Sequence, residues 1–284
     1  MPQRRYQVAI ILLWGVSSTW FVNQELSPQL KHASNTYRDL TWRRAVEETT
    51  RWSITSGKQA IGSASTRVRP LANGTHRIRG ILSLNSLPRM APDMGAASGN
   101  TMLPEGIHVE LDLTINPAGR LTHIAIEFSI TGTHLKVSCL GTVTGDHIHF
   151  QVQGLEEITG IPRTFDYPFR SETAYWETYA PRDRLPNLQM GHSWETRAAN
   201  PLAKLPGPFR WLVGRAAEHI VRHEVVAIEP VIFEDRSLRC FVVKHSRLSE
   251  TTRSWVSVVD GRVLRHEFTF AGKRLTLHRL SDSN

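Results

Sequence analysis

Residues 107–115 read IHVELDLTI: Ile107, Val109, Leu111, Leu113 and Ile115 alternate without a break with His108, Glu110, Asp112 and Thr114. A period of two held over this length predicts a β-strand with one apolar and one polar face. One-sided strands of this kind belong to antiparallel sheets. Downstream, Asn116-Pro117-Ala118-Gly119 turns the chain into Leu121–Ile130, with Ile124, Ile126, Phe128 and Ile130 on the apolar side. Gly132 turns it again into Leu135, Val137, Cys139 and Val143, and Gly145-Asp146 leads to Ile148, Phe150 and Val152. Upstream, Arg51–Thr55, a Ser56-Gly57 turn and Lys58–Val68 precede Asn73-Gly74, a two-residue hairpin signal opening Thr75–Leu84. The whole reads as an antiparallel meander, apolar on one face.

Between Leu87 and Glu105 the meander is interrupted by glycines, prolines and three methionines. A loop this long inside a domain is either functional or a loose insertion. In the functional reading Met90 and Met94 form a flap over an apolar concavity, whose lining would be Leu111, Leu113, Ile126 and Phe128. The same four residues serve equally well as core.

The stretch Tyr179–Leu202 divides the chain. Pro181, Pro186, Asn187, Asn200 and Pro201 break it, while Leu185, Leu188, Met190 and Trp194 still need burial. A proline-broken segment with large apolar groups predicts a strap that crosses a fold. Beyond it, Phe209–Val221 is ambiguous between helix and strand. Strands are expected at Glu224–Phe233, Leu238–Val243 after an Asp235-Arg236-Ser237 turn, Trp255–Val259 and Val263–Phe270 around Asp260-Gly261, and Arg274–Leu280.

Arg4 and Arg5 precede an uncharged run, Val8–Val22, that includes Ile10, Leu12, Leu13, Trp14 and Trp20. A basic flank before such a run is the pattern of an export signal. As a helix it spans ~22 Å, extended at its ends by interfacial Tyr6 and Trp20. No clean small-residue cleavage site follows, so an uncleaved signal-anchor is expected, with the basic end in the cytoplasm and the rest outside. The expected organisation is therefore 1–28 membrane anchor, 29–49 polar connector with a short helix over Tyr37–Glu48, 50–178 first β lobe, 179–202 strap and 203–284 second β lobe. The fold class is mainly β: two antiparallel curled-sheet lobes, half-barrel or sandwich-like, after the N-terminal membrane helix. The expected location is the cytoplasmic membrane, single-pass, with the C-terminal part extracytoplasmic (periplasmic).

The 284 residues suffice for a sizeable core, and the net charge is +8 with a pI near 9.9. The basic residues are scattered, without a basic helix or interleaved aromatics, so no nucleic-acid partner is expected. The two cysteines, Cys139 and Cys240, fall one in each half. In an exported protein they could form a disulfide; two buried thiols are the alternative.

Sequence motifs for chemistry are thin. Gly191-His192-Ser193-Trp194-Glu195 has Glu195 where a nucleophile elbow needs a small residue, and lacks the strand–turn–helix setting. His219 and His223 stand at i, i+4, a helical ligand spacing, without a third ligand. His147 and His149 share the polar face of their strand. No phosphate-cradling glycine loop, dinucleotide fingerprint or Cys-x-x-Cys is present, so no catalytic set, metal site or cofactor is assigned.

Together, the anchor run, Trp52 with Gly57-Lys58 and Ile61-Gly62, Leu188, Gly191 and Trp194 before Asn200-Pro201-Leu202, and Trp255 with Asp260-Gly261 and Val263-Leu264 resemble a group of uncharacterised bacterial proteins. These are membrane-anchored, exported β-sheet proteins of planctomycete type, and the resemblance implies export and a β-sheet fold but no activity. The strand-hairpin opening is similar to non-catalytic N-terminal domains of transglutaminase-like proteins, without a Cys–His–Asp set to carry that activity over. More distantly, a curled sheet at the membrane resembles lipoprotein-carrier (LolA-type) proteins, which hold acyl chains. The function expected is a non-enzymatic, membrane-tethered binding or scaffolding module for a lipid-like ligand or a partner protein. The alternatives are an exported hydrolase using His192/Ser193 or a His219/His223 site, and an accessory subunit of a membrane transport complex.

Overall fold

The computed structural model describes residues 46–85, 105–134, 136–154, 164–168, 173–175, 183–199, 218–247, 250–270 and 273–281. All belong to one compact unit, 35–284. The expected membrane anchor, most of the connector, and Met90 and Met94 lie outside the described residues.

The strands are β1 (Glu48–Ser56), β2 (Gln59–Pro70), β3 (His76–Leu84), β4 (Gly106–Ile115), β5 (Leu121–Thr131), β6 (Lys136–Thr144), β7 (His147–Gln153) and β8 (Thr164–Pro168) in the first half. The second half has β9 (Thr173–Tyr175), β10 (Ser193–Ala199), β11 (Glu218–Phe233), β12 (Arg236–Arg247), β13 (Glu250–Ser257), β14 (Val263–Phe270) and β15 (Lys273–Arg279). The first half confirms the meander of sequential hairpins. Glu48 opens a strand, where the short helix Tyr37–Glu48 was expected to end. Two turns also differ from expectation. Asn73-Gly74 sits in a five-residue loop closed by Leu71 N–H donating to Thr75 O at 2.7 Å. The β11–β12 turn is Glu234-Asp235, both at positive φ, one position before the expected start.

The two halves are one sheet. Its fifteen strands run in the order β8-β7-β6-β5-β4-β3-β2-β1-β15-β14-β13-β12-β11-β10-β9. Each neighbouring pair is antiparallel except β9–β10, and the sheet is not closed: β8 and β9 are its edges. The seam is β1 against β15, with Trp52 opposite Arg279 and Ile54 opposite Leu277. Two separate lobes were expected because each half alternates within itself. The seam escapes such a reading because it pairs the first described strand with the last.

Register places the apolar set on one face, here the inner face. Leu111 stands opposite Ile126, Leu113 opposite Ile124 and Val109 opposite Phe128. Ile126 then meets Cys139, and Cys139 meets Val152. Leu111, Leu113, Ile126 and Phe128 are buried in a cluster that continues through Trp52 and Ile54 into Leu275, Leu277, Val256, Val243 and Val225 of the second half. Gly141 is required within it: a Cβ there would lie 2.5 Å from Ile124 and 2.7 Å from Phe150.

Of the stretch 179–202 expected to be a strap, residues 183–192 run outside the named strands, Ser193–Ala199 form strand β10 instead, and 179–182 and 200–202 lie outside the described residues. Asp183 O accepts from Val263 N–H at 2.9 Å and from Arg279 Nη1 at 3.3 Å, and Leu185 N–H donates to Gly261 O at 2.8 Å. At its far end Gly191 N–H donates to Val225 O at 3.0 Å and Val225 N–H to His192 O at 2.9 Å. The strap thus crosses the inner face from β15 and β14 to β11, burying Leu185 against Val263, and continues into β10.

The second half departs from one-sidedness. Cys240, Val242, Trp255 and Leu264 form a second buried cluster on the opposite face, joined by Ala227, Val231, Phe233 and Leu238. Trp255 donates its indole N–H to Glu229 Oε2 at 2.9 Å, and the Arg265 guanidinium sits 4.2 Å from its ring centroid. Cys139 and Cys240 are both free thiols, one in each cluster, so the two are not joined. Burial pushes Cys139 up to about 12 and Cys240 up to about 11, which keeps both as unreactive thiols at neutral pH.

Candidate functional site

The inner face of the second half carries a hydrogen-bonded row of histidine and hydroxyl side chains, where the buried polar side chains of the first half's inner face are the paired Thr50 and Thr66. Trp194 of β10 stands opposite His223 of β11, and His223 opposite His245 of β12. Ser254 of β13 is one diagonal step from His245 and stands opposite His266 of β14. Four hydrogen bonds join the row. Thr196 Oγ1 and His223 Nε2 are 2.7 Å apart, and His223 Nδ1 and His245 Nδ1 are 2.6 Å apart. His245 Nε2 lies 2.6 Å from Ser254 Oγ, which lies 2.7 Å from His266 Nδ1.

His223, Thr196 and Ser254 are buried, while His245 and His266 are half-buried. The Trp194 ring stacks on His223 at 4.9 Å and 12°, and His223 meets His245 edge-on at 4.9 Å. Rings and hydrogen bonds together leave each imidazole little freedom. The row borders a cavity of about 20 Å³, partly open to solvent, lined by Leu185, Trp194, His223, His245, Ser254, Val263 and His266. That is room for about one water-sized group. Trp194 is one of the lining residues, and its Nε1 is buried and has no hydrogen-bond partner among the described residues.

Proton counting shows what the row can do. A neutral imidazole donates from one nitrogen and accepts at the other, and a hydroxyl does both. All four contacts are satisfied with neutral rings if His266 Nδ1–H donates to Ser254, Ser254 to His245 Nε2, His245 Nδ1–H to His223 Nδ1, and His223 Nε2–H to Thr196. The opposite polarity satisfies them equally. A row with one extra proton on His245 also breaks no bond, because His245 then donates both ways. The arrangement can therefore take up one proton at His245 Nε2 from Ser254 without losing the contact that orients the ring.

Among the sequence candidates, His223 belongs to this row. His192 does not: its ring lies 5.3 Å from Trp194, and its backbone N–H closes a turn to Gln189 O at 3.0 Å. Ser193 is half-buried and alternates with Trp194 along β10. The helical spacing considered for His219 and His223 is not realised. Both lie on strand β11, where four residues span ~13 Å, not one helical turn; the side chain of His219 lies outside the described residues. Thr196, His245, Ser254 and His266 were not singled out in the sequence. Each is a polar residue on its own strand, and nothing local in the sequence links one to another.

His147 and His149 are on the polar face, as their spacing predicts, paired with Asp146 at 2.6 Å and with Asp166. His149 borders an open groove of about 570 Å³ with Arg77, Asp112, His123, Leu140 and Gln151. Leu111, Leu113 and Phe128 line neither cavity. Among the described residues no three His, Cys, Asp or Glu side chains converge on a metal position. No family model and no curated protein matches the sequence of this chain.

Proposed function

We propose that the protein is a binding module tethered at the outer surface of the cytoplasmic membrane, holding a lipid-like ligand against the inner face of its sheet. One observation carries the reading. A single apolar cluster runs from Tyr167 and Phe150 near one edge, through the β1–β15 seam, to Trp194 and Val225 near the other, on a sheet that does not close. A wide open sheet with an apolar cluster running across one face must coil over that face or cover it. The face then opens by parting strands at an edge rather than by breaking a closed ladder. The uncharged run Val8–Val22 after Arg4-Arg5 supports the tether and the orientation.

The test is native mass spectrometry of the full-length chain, extracted in a mild detergent and stripped of it in the gas phase. The expected outcome is a discrete bound species of lipid mass, lost on Phe128→Arg in protein that retains its strand circular dichroism. A clean mass of the bare chain from both native membranes and lipid-supplemented extracts would overturn the reading. Cleavage by external protease of a C-terminal tag in spheroplasts is the expected result for orientation.

A further inference from the structure

We propose that Ser254 is a nucleophile for small acyl esters, with His245 as its general base and His223 as the residue that positions that base. The activity goes beyond ligand binding and rests on geometry alone. Nucleophilic hydroxyls are recognised by a base within hydrogen-bond reach that is itself held by a third group. Ser254 Oγ lies 2.6 Å from His245 Nε2, and the other nitrogen of that ring lies 2.6 Å from His223 Nδ1. Thr196, 2.7 Å from His223 Nε2, fixes the third group in turn, and Trp194 stacks on its ring. An apolar row would fill this face at less cost, because buried polar groups add stability only when fully satisfied. The polar residues here come from strands whose other inner-face positions are Val225, Val243, Val256 and Phe268.

The reaction balances with water as the only co-reactant. Ser254 Oγ attacks the ester carbonyl carbon as its proton passes to His245 Nε2. The imidazolium keeps its Nδ1–H on His223, and His223 keeps its Nε2–H on Thr196. Trp194 lines the same cavity, and its indole Nε1–H, without a hydrogen-bond partner among the described residues, is the donor assigned to the carbonyl oxygen as negative charge grows there. The carbon–oxygen bond to the alcohol breaks, and the leaving oxygen takes the proton from His245. Water then attacks the acyl-serine, gives its proton to His245, and Ser254 Oγ departs and recovers it. The cavity of about 20 Å³ between Leu185, Trp194 and Val263 holds about one water-sized group and is partly open, so the ester carbonyl enters from the open side and a long acyl chain is excluded.

The probes are methanesulfonyl fluoride and 4-nitrophenyl acetate, with the full-length protein in detergent. The expected result is one methanesulfonyl adduct, mapped to Ser254, and acetate-ester turnover that falls at least ~10²-fold in both Ser254→Ala and His245→Gln. His223→Gln should lower kcat and shift the pH profile of kcat/KM, with KM little changed; a purely structural residue would leave the profile in place. Ser254→Cys covers the case in which the alanine variant fails to fold, and should form an acetyl-thioester detectable by mass. No adduct on folded wild-type protein, an adduct elsewhere, or turnover that survives in Ser254→Ala would overturn the assignment.

Discussion

At residue scale, His278 is an imidazole held in its neutral form. It stands opposite Arg265 across the β14–β15 pair, and burial first, then the Arg265 charge, lowers its pKa below the usual 6.5. Above that value both folded and unfolded chains hold it neutral. As pH falls through 6.5 the unfolded chain takes up the proton first, so stability declines until the folded pKa is passed. His278→Gln should therefore lose less melting temperature than the wild type between pH 7.5 and pH 5, by calorimetry at both values. Equal losses would show that this ring is not linked to folding. Asp260 is the opposite case. Burial would raise its carboxyl, but the Ser257 hydroxyl, the Arg262 backbone N–H at 3.1 Å and the Arg262 guanidinium hold it below the ordinary range. Its contribution is present at neutral pH and is lost in acid.

At the scale of single elements, the strap and the β11–β12 hairpin carry separate predictions. Leu185 is 5 % exposed and closes the inner face over Val263, so Leu185→Ala removes apolar contact and leaves a cavity. The expected cost is ~2–5 kcal/mol, read as a lower urea midpoint at unchanged slope. The strap also needs Gly261, whose φ is +69 and where a Cβ would meet Leu185 O at 3.0 Å. In the hairpin, Glu234 and Asp235 adopt φ of 51 and 58, a two-residue turn that suits Asn-Gly. Replacing the pair by Asn-Gly should stabilise the fold by ~1 kcal/mol or more, seen as a higher urea midpoint. Pro230 is tolerated in β11 because β10 pairs with residues 218–224, leaving that side of the strand without a ladder at 230 among the described residues.

For the molecule as a whole, the seam decides whether the halves are domains. Strands β1 and β15 are far apart in sequence, so their pairing closes a loop containing all the other described strands, and such contacts form slowly. Deleting residues 273–284 would expose the edges of β1 and β14 together and strip Leu275 and Leu277 from the inner cluster. The expected outcome is loss of protease resistance in both halves and aggregation through the new edges. A protease-resistant fragment covering β1–β8 after the deletion would show instead that the first half folds alone.

The sequence by itself determined strands β1 to β7 and their sidedness, because period-two alternation is a local property, but not β8. Leu111, Leu113, Ile126 and Phe128 are buried on one face for that reason. It also marked residues 183–192 as irregular, since proline and asparagine interrupt regular structure while Leu185 still demands burial, but not that Ser193–Ala199, with Trp194, forms a strand. The second half was harder to read because β11 to β14 bury side chains on both faces, which blurs alternation, and bulges at Val225/Ala227 and Trp255/Val256 shift its phase. Only the tertiary structure decided that the halves form one sheet, and only it assembled Thr196, His223, His245, Ser254 and His266. Those five come from strands β10 to β14, and their contacts depend on the register between strands. Register is fixed by side-chain packing across the ladder, which no single strand encodes.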